Sequence, residues 1–267
     1  MKRLSFVLFL SLLSSSLFAQ EIELSESELT NKLDSVLHEG NLLYLYEKAA
    51  WISSDSVMGN PILKKDIRGY LSYEDMGEIK TIFLGEKLQT CVAEYTFENS
   101  FDEPKSVKIE KRELSEKERT LIEVRGKILK NIFEGNYEVG APESYHLNFI
   151  LLPFGENYKL YIVTGAAKSN EIPFGNDYIF IADKTGKITS WQKFHSRLIS
   201  LEVDDNTAEI THSHLRTTPL ITATDICTFR LYAPIYGIDA FSVASPAIKK
   251  YLKYSLKDNK ITIERSY

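Results

Sequence analysis

Between residues 147 and 214 the chain is a succession of short stretches in which apolar and polar residues alternate, separated by only a few turn-forming residues. Segments 147–152, 159–164, 178–182, 188–194, 199–203 and 208–214 read as strands, with Asp183-Lys184-Thr185-Gly186 as a hairpin turn between two of them. So dense a run of strands makes this part of the chain sheet-rich and leaves the helices to flank it. The pattern breaks at Thr222, where a helix is predicted to run to about Tyr232 and to be halted by Pro234. Segments 241–244, 251–256 and 260–263 close the chain as strands, with Asp258-Asn259 as a turn.

Upstream the period is helical. Leu29, Leu33, Val36, Leu37, Leu43 and Tyr44 keep one face apolar, Ser25 and Glu28 fit a capping box at its start, and Gly40 weakens its middle. The chain after it, through Pro61 and Gly69, reads as loop and short irregular structure. Strands are expected at 79–83, 88–97 and 107–111. A second capping box, Ser115 with Glu118, opens a helix whose apolar face is Leu121, Val124, Ile128, Leu129 and Ile132 and which ends near Gly135. The reading is α+β, a mixed sheet with flanking helices, divided into an N-terminal helix-plus-strands region (20–112) and a mixed domain (113–267).

The first nineteen residues read as a secretory signal peptide. Lys2 and Arg3 precede an apolar run over 4–13, and Ser14-Ser15-Ser16-Leu17-Phe18-Ala19 offers small residues before a cleavage point. The run is too short to cross a bilayer, which takes about 20 residues, and no cysteine follows it to take a lipid. The expectation is an exported protein, periplasmic or extracellular, without a stable membrane anchor. Loss of Lys2 and Arg3 moves the formal charge from −5 to −7, which argues against a nucleic-acid partner that would need clustered Lys and Arg. With 43% hydrophobic and 26% charged residues the chain can bury an ordinary core. Cys91 and Cys227 are its two cysteines: in an oxidising compartment they can pair, or stand as two buried free thiols.

One constellation carries chemistry. In Glu209-Ile210-Thr211-His212-Ser213-His214 a strand's alternation sends both imidazoles to one side. Asp225 falls in the first turn of the helix expected from Thr222, close enough to the strand's end to bring a carboxylate to the same point. Two histidines and a carboxylate leave zinc a fourth position for water. The same residues also fit a plain structure, in which Thr222 and Asp225 form only a capping box and the histidines lie on an edge strand. His195 reads as a structural histidine at a strand end or as a contact to the same site; His38 and His146 have no identifiable partners. Tyr44, Tyr46, Tyr70 and Tyr73 fit either a binding surface or the core. There is no Gly-rich phosphate loop, Gly-x-Ser-x-Gly elbow or usable Cys-His pair.

The order His212-Ser213-His214, then Thr222 and Asp225, resembles the signature of JAMM (MPN-domain) metallopeptidases, His-x-His-Pro followed by Ser and Asp at this spacing. The resemblance covers about the last half of the chain. It implies a JAMM/MPN-like C-terminal core in which His212, His214 and Asp225 ligate zinc and Thr222 takes the catalytic position of the family's Ser. Leu215 stands where the family has Pro. The family's upstream glutamate has three candidate positions here, Glu156, Glu171 and, by alignment on the 183–186 hairpin, Gln192, whose amide cannot accept a proton from water. The implied function is a zinc-dependent hydrolase of peptide or isopeptide amides acting on a protein or peptide substrate; the alternative is a non-catalytic domain that keeps the scaffold to bind a protein or envelope component.

Overall fold

The structure is a computed structural model and describes residues 24–98, 102–166, 168–204 and 206–264. The expected signal peptide, 1–19, lies outside the described residues. Helix α1 (Glu26–Met58) starts at the expected capping box, with Ser25 N–H donating to Glu28 (3.0 Å) and Glu28 N–H to Ser25 Oγ (3.3 Å). It does not stop near Tyr44. Tyr46, Ala49, Ala50, Ser53 and Val57 continue its buried face, so most of what reads as loop in the sequence is helix. Asn60 then caps a short helix, α2 (Pro61–Asp66), its Oδ1 accepting from Ile62 and Leu63 N–H.

An antiparallel sheet follows, formed by β1 (Gly69–Asp75), β2 (Glu78–Leu84), β3 (Thr90–Phe97) and β4 (Ser106–Lys108) in that order, with β5 (Arg112–Glu113) also pairing with β3. Helix α3 (Glu116–Glu134) has the expected cap and buries Leu121, Val124, Ile128 and Ile132. Next come β6 (Tyr145–Phe154), β7 (Asn157–Ala166), β8 (Glu171–Gly175), β9 (Tyr178–Ala182), β10 (Ile188–Lys193) and β11 (Leu198–Glu202). Four of these make an antiparallel sheet in the order β10-β9-β7-β6, while β8 and β11 pair separately. Finally β12 (Glu209–Ser213), helix α4 (Ala223–Tyr232), β13 (Ala240–Ser245), β14 (Lys250–Ser255) and β15 (Lys260–Glu264) build a sheet ordered β12-β13-β14-β15. In it β12 and β13 are parallel, joined through α4.

These elements make an α+β protein with two hydrophobic cores. One joins Leu43 of α1 to Tyr95, Phe229, Phe241 and Tyr254; the other joins Leu71 and Ile82 to Leu121, Ile128, Leu160 and Phe180. Each core draws on residues from both sides of position 112. Among the described residues no helix is long and apolar enough to cross a membrane. Cys91 and Cys227 are free and buried, and burial pushes both thiols up, Cys91 to about 11.

One contact between helices matters for the site. A Cβ on Gly40 of α1 would lie 2.7 Å from Ile226 Cβ and 3.0 Å from the Ala223 carbonyl oxygen of α4. The glycine that weakens α1 on propensity grounds is what lets the N-terminal turn of α4 seat against it.

Candidate metal centre

The centre is assembled from the end of β12, the start of α4 and two loops. Along β12 burial alternates, with Ile210 and His212 inside, and His214 continues past the strand with its N–H donating to Ala244 O at 3.0 Å. Both imidazoles therefore leave the sheet on one side. Thr222 is the N-cap of α4 and Asp225 its third residue, and they form the capping box. Thr222 N–H (2.8 Å) and Thr222 Oγ1 (2.7 Å) both donate to Asp225 Oδ2. The cap thus holds the carboxylate rotamer and leaves Oδ1, which is buried and has no hydrogen-bond partner, free toward the histidines.

A third histidine enters from the loop after β10. His195 is placed by the tight approach of two loops: Gly175 has φ +77°, and a Cβ there would meet the Arg197 carbonyl oxygen at 2.3 Å. Asn176 N–H donates to Arg197 O (3.2 Å) and Phe194 N–H to Asp177 O (3.1 Å). The same stitching sets Asp177 against the ring, with His195 Nδ1 to Asp177 Oδ1 at 2.8 Å, and Thr224 of α4 donates to the other oxygen of Asp177. All five of these side chains, His195, His212, His214, Asp225 and Asp177, are buried.

These surroundings fix which ring nitrogens carry protons. His214 Nδ1 lies 2.8 Å from the Leu220 carbonyl, which can only accept, so Nδ1 bears the hydrogen and the neutral ring presents a bare lone pair at Nε2. Asp177 Oδ1 likewise accepts from the His195 Nδ1–H, which turns Nε2 of that ring toward the cluster. The Nε2 atoms of His195 and His214 nevertheless face each other at 2.9 Å, and His212 Nε2 lies 3.1 Å from that of His214. Asp225 adds its oxygens at 3.5 Å from His195, 3.4 Å from His212 and 3.2 Å from His214. Lone pairs and a carboxylate converge, out of water, on one point. Such an arrangement repels itself unless a cation or protons sit at the centre. The four side chains can hold a metal ion, since one donor atom from each lies within 4.8 Å of all the others.

The proton affinities without a cation follow from the same contacts. Burial would lower His195, but the carboxylates of Asp177 and Asp225 outweigh it and raise the ring to about 9. Burial lowers His212, whose walls are the rings of Phe174 and Phe241. For Asp225 burial opposes charge, yet His195 and His214 hold its carboxyl well below the usual range.

His212, His214 and Asp225 thus come together as expected from the sequence, and His195 joins them as a fourth member rather than standing apart as a structural residue. Asp177 and Thr224 went unrecognised; an Asp outside any motif gives no sequence signal. Thr222 sits at the site, but its hydroxyl is spent on the cap and on Thr224 (2.9 Å). Of the candidate proton acceptors, Glu156 is exposed in a turn. Glu171 takes Tyr145 OH (2.8 Å) and Ser200 Oγ (2.6 Å) on one oxygen, and Gln192 donates to Thr218 (3.2 Å). None of the three is a member of the cluster. A cavity of about 330 Å³ borders His195, His212 and His214, and its remaining lining, including Ser196, Arg197 and Thr211, contains no carboxylate. Tyr46 and Tyr73 are core residues that accept from Glu74 N–H and donate to Glu118 respectively, while the Tyr44 ring carries the Arg230 guanidinium at 4.1 Å. No family model, curated protein or solved structure matches the chain.

Proposed function

We propose that the protein is an exported zinc-binding domain in which the ion is closed in by four side chains and clamps the C-terminal sheet to the loops beside it. The observation that carries this reading is the convergence, in a buried cluster, of the Nε2 atoms of His195, His212 and His214 on the carboxylate of Asp225, whose Oδ1 has no hydrogen-bond partner and lies nearest His195 and His212. A tetrahedral zinc site with ligands at about 2.0–2.1 Å has ligand atoms about 3.3 Å apart; five of the contacts within the cluster are 2.9 to 3.5 Å, and one donor atom from each residue lies within 4.8 Å of all the others. Imidazole and carboxylate donors in that arrangement suit zinc. Zinc bound there would neutralise the buried carboxylate and tie together the loop at 195, the end of β12 and the start of α4.

The strand-helix-strand passage β12-α4-β13, with two histidines ending the strand and an aspartate in the helix's first turn, is what supports a JAMM-like local scaffold. The same geometry favours the non-catalytic form of that scaffold. His195 takes the position that a catalytic centre keeps for water, and no carboxylate lines the cavity beside the histidines to accept a proton from it. Hydrolysis of a peptide or isopeptide amide is the second reading, favoured by that cavity, through which a fifth ligand can reach the ion. Substitution of zinc by cobalt(II) separates them: a closed centre gives the intense visible absorption of four-coordinate cobalt and no change on adding azide. Azide-dependent spectra together with metal-dependent amide hydrolysis would reject the clamp in favour of the enzyme.

A further inference from the structure

Away from the metal centre, α1, β1, β6, β7 and the C-terminal half of α4 enclose a second cavity of about 170 Å³. Its most unusual lining residue is Glu47. This side chain is 92% buried, and among the described residues it has neither a hydrogen bond nor an ion pair. Around it stand Trp51, Tyr70 and Tyr232, with the Trp51 and Tyr232 rings tilted at 52° and 5.2 Å between centroids. Tyr232 is held in place because its hydroxyl accepts from Ala166 N–H at 2.9 Å. Asn148 and the exposed ring of His146 lie at the cavity as well, and neither Lys nor Arg lines it.

A buried carboxylate without a cationic partner, lining one cavity with Trp51, Tyr70 and Tyr232, is complementary to one chemical class. The negative faces of Trp and Tyr attract a cation whose charge is spread over alkyl groups, and the acid supplies the opposite charge at short range. Ligand sites for drug-sized molecules enclose about 300–1,000 Å³, so this cavity suits a headgroup rather than a long substrate. We infer that the cavity formed by Glu47, Trp51, Tyr70 and Tyr232 is a binding site for a small alkylated ammonium group such as that of choline. Burial alone lifts the Glu47 carboxyl to about 7, as expected for an acid whose counter-ion is missing.

The site is independent of the metal reading, so the two can fail separately. The test is calorimetric titration of the full mature chain with choline chloride and, in parallel, with 3,3-dimethylbutan-1-ol, which has the same shape without the charge. Saturable one-site binding of choline is expected, with the neutral isostere at least tenfold weaker. Glu47→Gln and Trp51→Leu should each weaken choline at least tenfold, with circular dichroism and metal content unchanged. Glu47→Gln keeps the side-chain shape and removes a buried charge, so loss of folding is not expected to obscure the result. Absence of saturable choline binding at millimolar concentration, equal binding of the neutral isostere, or full affinity in Glu47→Gln would each overturn the assignment.

Discussion

Replacing Gly40 by alanine sets two physical effects against each other at one atom. In a helix interior alanine is favoured over glycine by about 0.5–1 kcal/mol, so propensity alone predicts a more stable protein. The added Cβ, however, would sit 2.7 Å from Ile226 Cβ and 3.0 Å from both Ile226 Cγ2 and the Ala223 carbonyl oxygen. Ile226 Cβ and the Ala223 carbonyl are fixed by the backbone of α4 and cannot swing aside as a side-chain tip would. Overpacking of this kind costs about 1–3 kcal/mol, so the net expectation is a loss of about 1 kcal/mol. The displaced turn of α4 carries Asp225, so metal affinity should fall with it. Gly126 on α3 is the control, because a Cβ there meets nothing within 4 Å and propensity acts alone. Urea unfolding of the two variants, with and without added zinc, should show Gly126→Ala stabilised and Gly40→Ala destabilised, the latter more so with zinc present. A Gly40→Ala protein as stable as the wild type, or more so, would refute the argument that close approach of α1 positions the site.

His212→Ala and Asp225→Ala should each abolish stoichiometric zinc while leaving the far-UV circular dichroism intact, as read by metal analysis after dialysis. Asp177→Asn keeps the four donors but releases the hold on His195, and competition with a chelator should show affinity about 10- to 100-fold lower. Glu47 has a carboxyl raised from 4.5 to about 7, so the folded state keeps a proton that the unfolded chain has lost; stability should therefore fall as pH rises from 4.5 through 7. Without an ammonium ligand, Glu47→Gln should remove that slope and be more stable than the wild type at pH 8 by about 3 kcal/mol, and equal stabilities at pH 8 would count against it. Arg112 donates to both oxygens of the buried Glu118 at 2.8 Å and also to Glu94, so Arg112→Ala should cost about 3 kcal/mol in chemical denaturation.

What could be read from the sequence was local. The period-two burial through His212 and the Thr222–Asp225 cap are properties of neighbouring residues, and the structure reproduces both. His195 and Asp177 reach the centre by a contact between two loops, with Gly175 in the left-handed region against Arg197, and no local pattern announces such a contact. Strand β8 is not among the strands expected between 164 and 178; Pro173 lacks an N–H to give a sheet ladder, and the strand exists in a separate two-stranded pairing with β11. The second half of α1 reads as loop because Trp51-Ile52-Ser53-Ser54 has only middling helix propensity, which burial of Ala49, Ala50, Ser53 and Val57 overrides. The role of Gly40 was invisible for the same reason as His195, since its partner Ile226 is distant in sequence.

The four-ligand centre is tested most directly by zinc K-edge X-ray absorption on protein purified without added metal. The account predicts one zinc per chain with four nitrogen or oxygen neighbours at about 2.0–2.1 Å, three of them imidazoles, and loss of one imidazole in His195→Ala. Protein that carries no zinc, or a spectrum in which only two imidazoles bind and His195→Ala changes nothing, would contradict it.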